Sequence, residues 1–347
     1  MTTIYAAMQD ELLVASGENG VWQARTVLHG RSPRALAVDP LRPQQLWCGT
    51  TGTGLWRSDD AGETWRPVPG PLAERDVSAV AVSQSERAGE DGVVFAGTDE
   101  TGPCSLFRSE DDGTTWEELE QMRMLPSAPS WSFPPRPHTS HVRWITPDLV
   151  VAGRLYVCIE AGALVRTQDG GRTWSDRVPD GPIDTHTLAV HPQAPGRLYS
   201  AAGDGVWQAG RGYSESPDGG ETWTRPDDGI GRHYLYGLAV DPVDPGTVVI
   251  SAAVSPQAAH NPRQADATVY RRSGEGPWRE VREGLPEPTG SLGALFATSA
   301  DEPGVLYAGS NRGIFRSTDG GASWENLRLR WADRYAHAGV HAIVATA

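Results

Sequence analysis

Three of the nine histidines occupy equivalent positions in a repeated strand pattern, and imidazoles gathered at one level can share a metal ion. Seven short apolar segments recur along the chain, and their first residues are Arg34, Ser78, His141, His186, Tyr236, Gly293 and His341. Imidazole ligands suit zinc, copper or iron better than magnesium or calcium. Three protein ligands leave positions open for water or substrate. The pattern predicts a divalent transition metal held by His141, His186 and His341.

Other polar residues of the same level are candidates for catalysis. Arg34 and Tyr236 can bind an anionic group or donate a proton, and Glu160 can orient a histidine or act as a base. We therefore predict these three as catalytic residues. Further residues on the segments and on the loops before them are predicted to bind substrate: Trp131, His138, Arg143, Tyr234 and His337. The alternative is a set of separate histidines in a wet channel, or an acid/base cluster without metal.

The elements that position these residues are indicated by a second repeat. Residues 58–65 read Ser-Asp-Asp-Ala-Gly-Glu-Thr-Trp, and related phrases occupy 109–116, 167–174, 216–223 and 317–324. Two degenerate copies lie at 16–22 and 273–278, and successive copies end 43 to 58 residues apart. In such a phrase Asp and Ser/Thr accept backbone N–H bonds, Gly adopts a left-handed conformation, and Trp closes an apolar layer.

The phrase resembles the Asp-box, or BNR repeat, of sialidases, sortilin-type receptors and photosystem II assembly factors. The resemblance covers nearly the whole chain and implies a β-propeller in which the boxes join the third and fourth strands of each blade, away from the active-site face. We expect one all-β domain over 1–347, a seven-bladed β-propeller of four-stranded antiparallel blades. The last apolar segment ends the chain, so strands at the N-terminus are expected to complete the C-terminal blade.

Long inserts are expected on one face of this ring. Residues 117–140 and 253–267 lie in the connections that a propeller places at the channel mouth, opposite the boxes. Binding sites are commonly built from long loops on a rigid scaffold. The alternative is that these inserts arose by neutral drift in surface loops, which tolerate insertion.

Composition narrows the possible partners. The net charge is −14, all 30 basic residues are Arg, and no basic stripe is present, so we expect no nucleic-acid partner. The absence of Lys excludes a Schiff-base lysine and a phosphate-loop lysine. Three cysteines show neither a disulfide nor a metal-type spacing. No leader or membrane-length apolar stretch is visible, so a cytoplasmic protein without a membrane partner is expected.

These observations predict a metal-dependent enzyme that acts on a small polar or anionic molecule at the channel mouth, as a hydrolase, lyase or oxygenase. One alternative is a non-catalytic Asp-box propeller for binding or assembly. The other is a sialidase-like glycoside hydrolase, which requires a pair of carboxylates. Sialidases resemble a six-bladed version with three substrate-binding arginines, and Asp-box xyloglucanases place their cleft between two propellers, so the chain departs from both patterns.

Overall fold

The structure is a computed structural model that describes residues 1–18 and 20–347. Asn19, which belongs to the first degenerate copy of the repeated phrase, lies outside the described residues. The chain folds as an all-β propeller with four-stranded antiparallel blades, as the sequence predicts at this level.

Short strands make up most of the fold. In chain order they are β1 (Thr2–Ala7), β2 (Leu12–Glu18), β3 (Val21–Val27), β4 (Pro33–Asp39), β5 (Arg42–Thr50), β6 (Leu55–Ser58), β7 (Arg66–Pro67), β8 (Asp76–Ala88), β9 (Asp91–Thr101), β10 (Leu106–Ser109), β11 (Glu117–Glu118), β12 (Thr139–Pro147), β13 (Leu155–Ile159) and β14 (Ala163–Thr167). They continue as β15 (Thr185–Val190), β16 (Leu198–Ala202), β17 (Tyr213–Ser216), β18 (Tyr234–Asp241), β19 (Asp244–Ala253), β20 (Ala267–Ser273), β21 (Arg279–Val281), β22 (Leu295–Thr298), β23 (Leu306–Ser310), β24 (Gly313–Ser317), β25 (Glu325–Asn326) and β26 (Ala342–Thr346).

Helical structure in residues 1–18 and 20–347 is confined to the connections. There, one α-helix, α1, spans Pro256–His260, and four 3-10 turns span Glu120–Met124, Ala128–Ser130, Gly203–Val206 and Asp333–His337. In the described part of the chain, no helix has the length and apolar character needed to cross a membrane.

The described strands form six sheets, so the predicted seven blades are not seven separate sheets. Four sheets have four strands each: β4–β7, β18–β21, β22–β25, and β26 with β1–β3. Strands β15–β17 form a three-stranded sheet, and β8–β14 share a seven-stranded one. The physical reason for the shared sheet is the long β8–β9 hairpin, whose end pairs with the start of β12 from Thr139↔Thr101 to His141↔Asp99.

The first strand of each repeat faces the centre. Strands β4, β8, β12, β15, β18, β22 and β26 each contact the next in that order, and β26 contacts β4. At the join, β26 pairs antiparallel with β1, from Ala342↔Ala7 to Thr346↔Thr3. The N-terminal and C-terminal strands therefore share one sheet, as the sequence predicts, and neither is left as a free edge there.

The repeated phrase forms a tight turn. Ser216 Oγ lies 2.9 Å from Asp218 Oδ1 and accepts the N–H of Gly220 at 2.8 Å. Asp218 Oδ1 accepts the N–H of Thr222 at 2.9 Å, and the indole of Trp223 donates to the carbonyl of Gly220. Gly220 has a φ of +89°, a conformation that favours glycine. The turns headed by Ser58, Ser109, Thr167 and Ser317 repeat these bonds.

The two long inserts pack differently. In 117–140, Met122 and Trp131 are buried in the apolar core beside β12–β14. In 253–267, Ser255 Oγ accepts the N–H of Ala258 at 3.1 Å and caps α1. Ala258 and Ala259 pack against Tyr234. The second insert thus fixes the residue that ends α1, His260, near the start of β18.

The turn bonds predict a measurable loss of stability. Ser216→Ala leaves the buried N–H of Gly220 without its acceptor, and we expect the free energy of unfolding to fall by about 1–3 kcal/mol. Urea denaturation measures the change. Ser273→Ala is the matched control, because Ser273 heads a degenerate copy and its exposed hydroxyl bonds only weakly to Thr247 at 3.3 Å. An equal loss in both variants would contradict the assignment of stability to the turn.

Candidate active site

A pocket of about 210 Å³ opens where several central strands begin. Six of its lining residues are among those predicted from the sequence: Arg34, His141, Arg143, Glu160, Tyr236 and His341. The remaining three are Ser78, Phe133 and His260. The pocket therefore gathers side chains from both ends of the chain and from the insert that carries α1.

Glu160 is the carboxylate of this pocket. It follows β13, and its Oε2 lies 2.5 Å from His141 Nε2 and 3.7 Å from Arg143 Nε. Its Oε1 lies 3.9 Å from His186 Nε2. Burial opposes ionisation of Glu160, but the hydrogen bond from His141 and the nearby positive charges hold its pKa well below the usual range. Glu160 is thus an ionised carboxylate held in place by its neighbours.

Asp184 is a second carboxyl group directly behind Glu160. Its Oδ1 accepts the N–H of Ala161 at 2.8 Å, and its Oδ2 lies 3.7 Å from His186 Nε2. Burial raises the pKa of Asp184; His186 offsets part of this rise, and the negative charge of Glu160 adds to it. A β-carbon on Gly203 would lie 2.1 Å from Asp184 Oδ2, so glycine leaves the space that this carboxyl group occupies.

The imidazole of His186 lies beside both carboxyl groups. Its Nδ1 lies 2.6 Å from the carbonyl of Leu235, which fixes Nδ1 as the donor and directs Nε2 toward Glu160 and Asp184. One ligand atom from each of Glu160, Asp184 and His186 lies within 4.8 Å of the others. Within residues 1–18 and 20–347, this trio is the group of three potential metal ligands found at such spacing, and it contains one of the three predicted histidines.

A line of polar rings leads from His186 back to the pocket. Tyr234 Oη lies 3.5 Å from His186 Nε2 and 2.8 Å from His260 Nε2. Burial raises the pKa of the Tyr234 phenol well above its usual range, and the charges of Glu160 and Asp184 add to this effect. Burial, together with the charges of His186 and Arg143, lowers the pKa of His260 to about 4.

The other predicted residues lie at varying distances from the pocket. His186 and Tyr234 are buried directly behind it. His138 and His337 are exposed and do not line it. Trp131 turns into the core, where its indole donates to Ser127 Oγ at 3.0 Å, and Phe133 of the same insert lines the pocket instead. The insert thus contributes an aromatic wall, but through a different side chain.

The titratable residues Asp184 and His260 belong to the site but were not predicted from the sequence. Asp184 stands two positions before His186, and alternate residues of a strand face the same side, so this spacing could have revealed it. His260 gives no comparable signal. Its place depends on how α1 packs against β18, which strand periodicity does not predict.

The sequence matches known proteins over part of the length of those proteins. No family model matches the sequence. A xyloglucanase of Paenibacillus sp is 28% identical over 255 residues, which is 62% of this chain and 23% of that protein. A probable oligoxyloglucan-reducing end-specific xyloglucanase of Neosartorya fischeri is 26% identical over 264 residues, 74% of this chain and 28% of that protein. The chain thus spans about a quarter of the length of these relatives.

Solved structures share the fold. The GH74 xyloglucanase of Xanthomonas campestris superposes with a TM-score of 0.65 at 18% identity, over 93% of this chain and 52% of that one. YCF48 from Cyanidioschyzon merolae superposes with a TM-score of 0.54 at 15% identity, over 85% of this chain and 84% of that one. At these identities the likeness supports the propeller fold and nothing finer.

The sequence similarity to known proteins contradicts the predicted function. The proteins that match the sequence are xyloglucanases, so the prediction of a metal-dependent enzyme acting on small molecules through three histidines is wrong. The glycoside-hydrolase alternative fits these findings better. The geometry gives a physical reason, because His141 and His186 each direct Nε2 at Glu160. The two rings therefore surround a carboxylate.

The opposite pKa shifts of the two carboxyl groups predict opposite effects on stability. The lowered pKa of Glu160 stabilises the fold above the ordinary glutamate pKa of about 4.3, and this stabilisation is lost as pH falls. The raised pKa of Asp184 favours the fold at low pH and disfavours it as pH rises from about 4 through the native value. Each unit of displacement is worth about 1.4 kcal/mol.

We therefore expect Glu160→Gln to be destabilised relative to wild type at about pH 7, and Asp184→Asn to be stabilised. Both differences should shrink toward about pH 3.5. Urea denaturation across this range measures them. A change of the same sign in both variants at neutral pH would contradict the assignment of these pKa shifts.

Proposed function

We propose that the chain is a glycoside hydrolase that binds its sugar in the channel-mouth pocket and uses Glu160 as the reactive carboxylate. The observation that carries this proposal is the carboxyl pair: Glu160 and Asp184 place oxygen atoms within 4.8 Å of each other, and their pKa values are displaced in opposite directions. Glycoside hydrolysis requires such a division between an ionised and a protonated carboxyl group.

Each group has a defined part in this chemistry. Glu160, held ionised by His141 and Arg143, attacks the anomeric carbon and forms a glycosyl ester as the leaving-group oxygen departs. Attack by a carboxylate followed by hydrolysis of the ester retains configuration, because the anomeric carbon is inverted twice. The leaving oxygen takes up a proton, and water then hydrolyses the ester. Before the reaction, Asp184 holds the proton that replaces the one given to the leaving group.

The proton has a route to the pocket. Asp184 lies behind Glu160, and the rings of His186, Tyr234 and His260 connect it to the pocket wall. His260, with its pKa lowered to about 4, gives up a proton readily when it receives one. In this proposal His260 delivers the proton to the leaving group, and His186 receives its replacement from Asp184.

The finer description of the fold belongs to the same proposal. Counting β8–β11 and β12–β14 as two blades gives seven, closed by β26 with β1–β3. The ring of contacts among the seven central strands supports this count, and so does the pairing of β1 with β26. The five bonded turns support placement among the Asp-box propellers.

The pocket size and the relatives suggest which substrates to test. A volume of about 210 Å³ is below the roughly 300–1,000 Å³ of pockets for drug-sized ligands, so the pocket suits one sugar unit rather than a chain. The relatives are named as xyloglucanases. Xyloglucan oligosaccharides and nitrophenyl glycosides of their component sugars are therefore the first substrates.

Substitution of Glu160 tests the proposal. We expect Glu160→Gln to lower kcat at least about 1,000-fold, because the amide cannot form the ester intermediate, with little change in KM. For Glu160→Ala, added azide should restore turnover and yield a glycosyl azide of inverted configuration, because azide displaces the leaving group in a single step from the side that Glu160 occupied. Release of nitrophenol and analysis of the product by NMR measure these outcomes.

Glu302→Gln is the matched control. The side chains of Glu160 and Glu302 are both 16% exposed, and each has an arginine nitrogen 3.6–3.7 Å away, but Glu302 lies outside the pocket. The activity of Glu302→Gln should equal that of wild type. If wild type binds xyloglucan oligosaccharides and hydrolyses none of them, the glycosidase proposal fails in favour of a non-catalytic binding propeller.

A further inference from the structure

A second cavity continues from the floor of the pocket into the central channel. Its volume is about 370 Å³, and it shares four residues with the pocket: Arg34, Ser78, Arg143 and His341. Much of its wall is apolar, including Leu36, Val80, Trp144, Ile145, Phe296 and Val344. The two spaces thus form a polar chamber above an apolar one, joined at a neck that these four residues surround.

Arg143 places a positive charge at the neck without a hydrogen-bonded partner in residues 1–18 and 20–347. Its side chain is 13% exposed, and the nearest carboxylate oxygen, on Glu160, lies 3.7 Å from Nε, beyond hydrogen-bond distance. The guanidinium lies over the ring of Tyr236, with its carbon 5.2 Å from the ring centre. Among the described residues no acceptor bonds to it. A largely buried guanidinium with free donors is a binding site for an anionic oxygen group.

The charges along the channel favour one orientation of a bound anionic ligand. At the neck, Arg34 lies beside Asp99 at 3.3 Å, and Arg136 also pairs with Asp99. Arg143 lies 3.7 Å from Glu160, so three arginines face two carboxylates there. The far end is lined by Asp39, already bonded to Arg42 and Arg87, and by the exposed Asp301. An anionic head is therefore favoured at the neck and disfavoured at the far end.

The length of the apolar part sets the size of the ligand. Strand β4 runs along the cavity from Arg34 at the neck to Asp39 at the far end, five residues or about 17 Å. This distance accommodates an extended alkyl chain of eight to twelve carbons. A shorter acid would leave part of the apolar wall without contact.

We propose that the channel binds an unbranched medium-chain monocarboxylate, with the carboxylate on Arg143 and the alkyl chain in the apolar cavity. This binding site goes beyond the proposed hydrolysis and does not depend on it. The occupied neck forms the floor of the sugar pocket, so the acid would lie directly beneath any ligand bound there.

Calorimetry with hexanoate, octanoate and decanoate tests the contribution of the chain. Each methylene buried is worth about fourfold in affinity (about 0.8 kcal/mol), so we expect decanoate to bind at least about 100-fold more tightly than hexanoate. Thr298→Phe places an aromatic ring in the cavity at a half-exposed position and should abolish this dependence on length. Val150→Phe, which adds the same ring at an exposed site outside the cavity, should not.

The contribution of the head group is tested with Arg143→Met. Wild type should prefer decanoate to decanol and to decyltrimethylammonium by at least about tenfold. Arg143→Met should lose this preference and keep the dependence on chain length. The matched control is Arg154→Met, because Arg154 is 24% exposed, pairs with Asp148 and lies outside both cavities.

The position of the chain is tested with fluorotryptophan. Of the thirteen tryptophans, Trp144 is the one that lines the described cavity. Decanoate should shift the ¹⁹F resonance that disappears in Trp144→Phe. Equal affinity for hexanoate and decanoate, or an unmoved Trp144 resonance at saturating decanoate, would overturn the proposal.

The two proposals can fail separately. Glycoside hydrolysis by a protein that binds decanoate no better than hexanoate would eliminate the channel site and leave the hydrolase. Chain-length-dependent binding to Arg143 and Trp144 in a protein that cleaves no glycoside would eliminate the hydrolase and leave the channel site. Glu160→Gln should still bind decanoate, because its cavity walls are unchanged.

Discussion

The pairing of β26 with β1 is the constraint on which the rest of the structure depends. It joins the two ends of the chain in one sheet and lets the last central strand contact the first. The N–H of His341 donates to the carbonyl of Ala7 at 2.9 Å, so this same join holds His341 at the neck beside Arg34. A site built from residues three hundred positions apart therefore depends on main-chain bonds between the termini.

Within that frame, the chemistry depends on unequal environments for two similar groups. Glu160 is surrounded by His141, His186 and Arg143, whereas Asp184 is buried with one backbone donor and a histidine it must share. The two side chains differ by one methylene group, but their electrostatic environments decide which of them carries a charge. Gly203 maintains the arrangement, since it leaves room for Asp184 against the turn that follows β16.

Much of the architecture could be predicted from the chain because its signals are local. The turn phrase is read from eight successive residues, and the apolar segments mark the central strands. The positions of His141, Glu160 and Arg143 follow from strand register, and all three line the pocket. Trp131 and His260 could not be placed in this way. Their directions depend on how two inserts fold over the scaffold, one into the core and the other onto the pocket.

Gly203 also limits how this protein can change. Its backbone angle is accessible to any residue, so the constraint comes from space alone, and even alanine would collide with a carboxyl oxygen. Random diversification of the turn that follows β16 would therefore rarely yield functional variants at position 203, and a β-carbon at Gly205 would likewise lie 2.0 Å from the carbonyl oxygen of His233. Selection for new specificities would therefore act on the residues that line the pocket, because the turn at Gly203, which lies outside it, has no room for a larger side chain.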